Sequence, residues 1–410
     1  MSKKSNIFIT FLSLLLWEIL MRLIIPENGS VLKSLITSLL WISFIASAIN
    51  FYTYFYSLKK YISKINYQLI TLLIIWNFIN IFRSIVNGDS NFLTTFGNPF
   101  TVLSLLIPFA VFYGLKLINL IYIRDILLKS IKLGIYCIPL FFINNKFAGL
   151  GHLFTGYFFL SPSVIIENKK NIYLILTALI IVFLTSLSSR TTLVRIALYA
   201  IPFIMLFLQK KYYFKNTYKF TFLLLIFPIY FTYSGFNHGN TIFEYFSSKS
   251  DNELYTDTRS FLFEEVFEDL NNNNKLLIGK GAASNYFSNY FTNNLNVKNN
   301  RLTVEVGILT ILLKGGIIAL LLNLSIFFIA IYMAYFKSNN TYSKTLGFLL
   351  LVHVVLLFVE NVVAYNIYNF IIWFTVGVCL NKQFRLLNNF QIKYIINGRF
   401  IKNINNNTQL

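Results

Sequence analysis

A chain of 410 residues that is 56% hydrophobic, 18% aromatic and only 12% charged is too apolar for an ordinary soluble domain. Two cysteines inside apolar runs, Cys137 and Cys379, and three scattered histidines, His152, His238 and His353, give neither a disulfide framework nor Cys/His metal spacing. The net charge of +20 reads as the positive-inside bias of a membrane protein, not as a nucleic-acid surface.

The apolar runs have the length a bilayer core requires, roughly 17 to 25 residues. The first, Ile7–Ile25, lacks a small-residue cleavage site and reads as a retained signal anchor. Further spans are expected at about 34–57, 67–86, 99–118, 126–143, 150–166, 171–188, 191–208, 218–234, 303–336, 345–362 and 365–381. Lys129 and Lys132 interrupt the run at 126–143, and Pro162 that at 150–166, so the count is ten to twelve. Basic residues cluster in alternate connections, among them Lys59, Lys60 and Lys64, then Arg124 and Lys129, then Lys210, Lys211, Lys215 and Lys219. Their alternation puts both termini in the cytoplasm. The expected fold is all-α: a polytopic integral membrane protein of about twelve transmembrane helices with one large extracytoplasmic loop. Its parts are a bundle at 1–234, the loop at 235–300, C-terminal spans at 301–382 and a cytoplasmic tail at 383–410 with an Asn-rich, disordered end.

The loop is the polar interruption in the chain. It holds eight of the fifteen acidic residues. Phe263, Val266, Phe267 and Leu270 recur at helical spacing, with Asp257 or Thr258 as a cap and Asn271–Asn274 as a stop. A turn at Leu276–Gly281 follows, carrying Gly279 and Gly281. Tyr286, Phe287, Tyr290 and Phe291 then form a second aromatic stripe, read as another helix. Both helices could lie on the membrane surface with their apolar faces down or pack on the bundle, and the two placements are compatible. The tenth run is long for one span, and the pair Gly315-Gly316 is expected to break or kink it, leaving a short first piece near the outer face.

Ionisable groups within spans are costly and mark functional hypotheses. Arg190 closes Ser188-Ser189-Arg190 at an outer junction, with Arg195 about a turn later. A guanidinium there suits a phosphate or diphosphate through its forked donors, the alternative being snorkelling or an ion pair. Arg259 sits where the loop helix starts, a position that favours an anion; the alternative is an ion pair with Asp257 or a glutamate. Glu305 opens the tenth span. It is a candidate general base if burial raises its pKa, and otherwise a partner for Arg301 four residues earlier on a shared helix face. Glu18 and Arg22 have the same spacing and read as structural, and Glu360-Asn361 is a polar pair without an assigned role.

The order of a span ending in Ser-Ser-Arg, a large outer loop with an early arginine and Gly-x-Gly, and the span Val304–Leu322 resembles the O-antigen polymerases of the Wzy type and the related O-antigen ligases. The matching region is about 171–335. The resemblance implies an enzyme of the cytoplasmic (inner) membrane that acts at its outer face on undecaprenyl-diphosphate-linked oligosaccharide. It implies transfer of the growing glycan to the next lipid-linked repeat unit, with no cofactor and no metal. It makes membrane lipid, a chain-length regulator and a flippase the expected partners. It assigns diphosphate contacts to Arg190 and Arg259; Arg301, just after the loop, is a further candidate for the same diphosphate. The ligases carry a His-Asn pair where this chain has Glu305-Val306. That departure argues for polymerase over ligase and leaves Glu305 the activating role.

Overall fold

The computed structural model describes residues 3–24, 30–54, 61–87, 92–139, 151–161, 169–185, 193, 195–201, 226, 260–288 and 300–396. These are mostly helical. The helices are α1 (Lys3–Ile24), α2 (Ser30–Tyr54), α3 (Lys64–Asn87), α4 (Phe92–Gly97), α5 (Val102–Leu106), α6 (Val111–Gly114), α7 (Leu117–Tyr136), α8 (Tyr157–Leu160) and α9 (Lys169–Thr185). After the polar interruption come α10 (Ser260–Asn272), α11 (Gly307–Phe336), α12 (Thr341–Val359), α13 (Ile367–Leu380), α14 (Lys382–Leu386) and α15 (Asn389–Ile396).

Three of these helices, α3, α11 and α12, are long and apolar enough to cross a membrane. A fourth crossing exists if the segment Val102–Gly114 and α7, bent by 114° at a short break, count as one span. This differs from the expectation of two separate runs at 99–118 and 126–143. The bend falls at Leu115–Lys116, where Lys116 takes the extended angles φ −113° and ψ 122° just before α7 starts. The run at 150–166 likewise yields only α8 and a 3-10 turn among the described residues. Of the runs at 191–208 and 218–234, only residues 193, 195–201 and 226 lie within the described part.

α11 and α12 form an antiparallel hairpin closed by Asn340, whose side chain accepts the Ser343 N–H at 2.7 Å and caps α12. α13 packs against this hairpin and against α6, while α1 lies on α2 and α13. The N-terminus of α13 is capped twice. The Asn366 side chain accepts from Asn369 N–H at 2.9 Å, and the Glu18 carboxylate of α1 accepts from Ile367 N–H at 2.8 Å.

α11 is broken where the Gly315-Gly316 pair predicts. Gly316 takes φ 67° and ψ −169° within an otherwise helical run. A break strands backbone groups that lipid cannot satisfy. The turn after α10 supplies them. Lys280 N–H donates to Leu313 O (2.8 Å) and Gly281 N–H to Lys314 O (3.0 Å), while Ile317 and Ile318 N–H donate to Leu276 and Leu277 O (3.0 and 3.3 Å). The turn therefore enters the bundle about ten residues, or roughly 15 Å, along α11. Gly279, at φ 69°, lies so close that a Cβ would stand 2.5 Å from Gly316 N.

The face of α3 that carries Trp76, Asn80, Arg83 and Ser84 holds the turn from the other side. Arg83 donates to Ile278 O and Gly279 O, each at 2.7 Å, and to Asn80 Oδ1 at 3.0 Å. Trp76 Nε1 donates to Gly315 O at 2.9 Å. Ala283 N–H donates to Ser84 Oγ at 3.1 Å. The Lys280 ammonium ties the turn back to Asp269 of α10 at 2.6 Å.

α10 buries Leu262, Phe263, Val266 and Leu270 against Tyr286, Val304, Val306 and the first turns of α11. This is the expected packing on the bundle, made here against the first turns of α11. The second aromatic stripe is not a helix at its described end. Tyr286–Phe287 is a strand, β1, paired antiparallel with Asn300–Arg301, β2. Tyr286 is buried and Phe287 exposed, the period-two alternation of a strand. Aromatic residues favour strands, and four of them in six positions do not discriminate between the two periods. Tyr290 and Phe291 lie outside the described residues, as do the cap candidates Asp257 and Thr258.

Candidate functional site

Two arginine–carboxylate pairs lie on the segments that come together at one end of the α11–α12 hairpin. Their common location follows from the backbone: Gly307 N–H, at the start of α11, donates to Glu360 O, at the end of α12, at 3.0 Å. Arg301 and Glu305 lead into the first of these ends, and Glu360 is the second.

The better buried pair is Arg195 with Glu360, their side chains 22% and 21% exposed. Arg195 Nη2 donates to Glu360 Oε1. The guanidinium also lies over the Tyr368 ring, 5.0 Å from its centroid, as a cation–π contact. Tyr368 joins two further groups. Its hydroxyl is 2.7 Å from that of Tyr199, one helical turn after Arg195, and 3.2 Å from His353 Nδ1 on α12. Among the described residues Arg195 Nε donates to nothing. A guanidinium has five N–H donors in a planar fork, so one carboxylate oxygen leaves donors for an oxyanion.

The second pair is Arg301 with Glu305, 3.5 Å apart, their side chains 24% and 41% exposed. The expected geometry for this pair is a shared helix face, and that is not how it forms. The helix begins at Gly307, with Val306 extended at φ −114° and ψ 126°, so residues 301–306 are strand and bend. Arg301 is fixed instead as the cross-strand partner of Tyr286. Glu305 is the more exposed member of the pair and is not buried. Burial pushes the Tyr286 phenol up to about 12, with the Arg301 charge pulling it back and Glu265 and Glu305 adding to the rise. Tyr286, Arg301, Glu305 and Glu265 of α10 thus sit within electrostatic reach of one another.

Glu18 and His152 add a third pair near the start of α13. His152 Nδ1 is 2.9 Å from Glu18 Oε2, whose other oxygen caps α13. Glu18 therefore serves α13 and His152; the Arg22 side chain lies outside the description.

Among the predicted site residues, the structure brings Arg301 and Glu305 together, on the segment leading to the Gly307–Glu360 backbone hydrogen bond. Arg190 and Arg259 lie outside the described residues. Gly279 and Gly281 form the predicted turn, and the amides of residues 279–281 all donate to backbone carbonyls. Such a turn offers packing and no anion cradle.

Sequence reasoning left Glu360 without a role, set His353 aside as too far from other histidines for a metal site, and passed over Arg83, Tyr368 and Lys314. For Arg83 and Lys314 a signal was present, since each is a charge inside an apolar run. For Glu360 with Arg195 the signal is weak, because 165 residues separate the partners. No family model, no curated protein and no solved structure matches this chain.

Proposed function

We propose that this chain is an integral-membrane glycosyltransferase of the O-antigen polymerase type. In this reading it has about twelve spans with both termini cytoplasmic, and it works at the outer face of the bacterial inner membrane. The observation that supports the reading best is that two arginine–carboxylate pairs lie on segments joined by the Gly307–Glu360 backbone hydrogen bond, at one end of the α11–α12 hairpin. Transfer of a glycan from a lipid diphosphate needs cations to hold the leaving diphosphate and a carboxylate to take the acceptor hydroxyl's proton. Charges preorganised at the leaving oxygens act in the transition state, and the carboxylate acts as general base. Arg195 and Arg301, with Arg190 and Arg259 from the flanking segments, are assigned to the diphosphate. Glu305, the more exposed carboxylate, is assigned to the acceptor hydroxyl. The loop segment 260–288 positions the glycans over these groups.

The test is a gel of surface polysaccharide from a deletion strain beside its parent. Collapse of the ladder to a single repeat unit supports the polymerase. Loss of all glycan from the acceptor, with polymer left on the lipid carrier, makes the chain a ligase. A second reading, a flippase or other transporter, draws on one observation: broken helices with polar groups at the break are characteristic of transporters. Loss of the surface glycan with single repeat units stranded on the inner face selects it.

A further inference from the structure

We propose that Glu360 is a resident counter-anion, which the substrate's diphosphate displaces from Arg195 and which returns when the spent diphosphate leaves. The inference rests on the reading in which Arg195 holds the lipid diphosphate. The Glu360 backbone is pinned: its carbonyl accepts from Gly307 N–H and Val362 N–H, each at 3.0 Å, and its N–H donates to Leu356 O at 2.8 Å. Its side chain is not. Among the described residues its one hydrogen bond runs from Arg195 Nη2 to Oε1, while Oε2 is shut away from solvent and accepts from nothing.

Arg195 has a second hold that Glu360 lacks. Its guanidinium lies over the Tyr368 ring, 5.0 Å from the centroid. That ring is itself fixed, since the Tyr368 hydroxyl meets Tyr199 at 2.7 Å and His353 Nδ1 at 3.2 Å. An aromatic face attracts the cation without supplying an anion, so the guanidinium stays in place when its counter-ion changes. The pair joins one oxygen to one nitrogen, and Arg195 Nε is left without a partner among the described residues. Arginine and a phosphate can form two parallel bonds, so the present occupant does not use the fork in full.

Charge drives the exchange in both directions. A diphosphate carries more negative charge than a carboxylate and offers more acceptor oxygens, so it wins the guanidinium on arrival. Removing Glu360 costs less than breaking a fully buried pair, because both side chains are about a fifth exposed. The displaced carboxylate stays nearby on its pinned backbone and repels the diphosphate that replaced it. It therefore lowers affinity for the diphosphate and helps the spent carrier to leave once its glycan has been transferred.

The experiment uses the full chain purified in detergent, with inorganic pyrophosphate as the probe. Binding is read as a saturable rise in melting temperature at constant ionic strength. Glu360→Gln is expected to bind pyrophosphate roughly tenfold tighter than wild type, the scale of removing one like charge a few ångströms from the bound anion. Arg195→Gln is expected to weaken binding, alone and combined with Glu360→Gln. Glu360→Asp keeps the charge on a shorter stem that holds Arg195 less well; it is expected to fall between wild type and Glu360→Gln, and it decides should Glu360→Gln fail to fold. Binding that depends on Arg195 but is unchanged or weaker in the Glu360 variants overturns the counter-anion and leaves the diphosphate on Arg195. Binding that Arg195→Gln leaves unchanged, or no binding by any of these proteins, takes the diphosphate off Arg195 and overturns both.

Discussion

The break in α11 and the charged end of the α11–α12 hairpin lie on the same helix and differ in how they are held. The break is a backbone structure. Four main-chain hydrogen bonds join Leu276–Gly281 to Leu313–Ile318, and the glycines leave no room for a side chain between them. The charged end is a side-chain structure, in which two ion pairs retain a fifth or more of their surface and Arg195 keeps a donor to spare. Main-chain pairing at van der Waals distance fixes position and tolerates no ligand. Partly exposed ion pairs can exchange one partner for another. The first region reads as the mount and the second as the working surface, and that division predicts opposite responses to mutation.

The largest effect on stability is expected at the mount. Gly316→Val places a side chain at positive φ, worth about 1–2 kcal/mol, and drives Cβ into the Leu277 carbonyl, worth about 1–3 more. Thermal unfolding in detergent is expected to show a loss of about 4 kcal/mol or failure to accumulate. A variant within about 1 kcal/mol of wild type means the turn and the break are not interlocked. Arg83→Met is next. It leaves the Ile278 and Gly279 carbonyls without their guanidinium donors, and each charge-assisted bond contributes about 1.5 kcal/mol or more. A loss of about 3 kcal/mol is expected, accompanied by proteolytic opening near residues 276–281. Unchanged protease resistance there removes Arg83 from the mount.

Glu360→Gln tests the border between the two regions. It strips the charge from a partly buried pair and leaves Arg195 over Tyr368 without its counter-ion. A destabilisation of about 2 kcal/mol is expected, below the 3–5 kcal/mol of a fully buried pair because both side chains are a fifth exposed. Arg195→Gln combined with it is expected to cost little more than either change alone. Additive losses in that double-mutant cycle exclude a functional pair.

Legibility in the sequence follows the same division. The break was visible because two adjacent glycines inside a long apolar run have few other uses. The apolar face of α10 was visible because Phe263, Val266 and Leu270 keep helical spacing. What the run could not show was its partner: nothing in Leu276–Gly281 announces that its carbonyls accept from Ile317 and Ile318. Arg301 and Glu305 are four apart, which suggested a helix face, yet their contact is made across a bend. Spacing gave the right pair by the wrong geometry. Arg195, Glu360, Tyr368 and His353 come from separated segments, and only tertiary packing joins them.

Glu305→Gln is expected to move stability by less than about 0.5 kcal/mol, because its pair with Arg301 is exposed and such pairs contribute little. Its activity is expected to fall by about 10² or more if the carboxylate is the general base. The two readouts must therefore separate. A Glu305→Gln protein with full polymerisation in membranes sinks the assignment and passes the role to Glu360, the other carboxylate at this end.

The smallest effect concerns Tyr286 and is confined to alkaline pH. Its phenol is pushed from the usual 10 up to about 12, mainly by burial, so the native state keeps the proton that the unfolded chain releases. Below pH 10 both states hold the proton and the group adds no pH dependence. Between pH 10 and about 12 the unfolded chain binds fewer protons than the native one, so stability falls as pH rises. Tyr286→Phe is expected to flatten that part of the stability curve and leave neutral pH nearly unchanged, since the ring still fills the space under α10. Because Arg301 pairs with Tyr286 across β1 and β2, alkaline loss of this strand pair should carry Arg301 away from Glu305 with it. If Tyr286→Phe leaves the alkaline slope as steep as wild type, the phenol is not the group that ties the loop to the working surface.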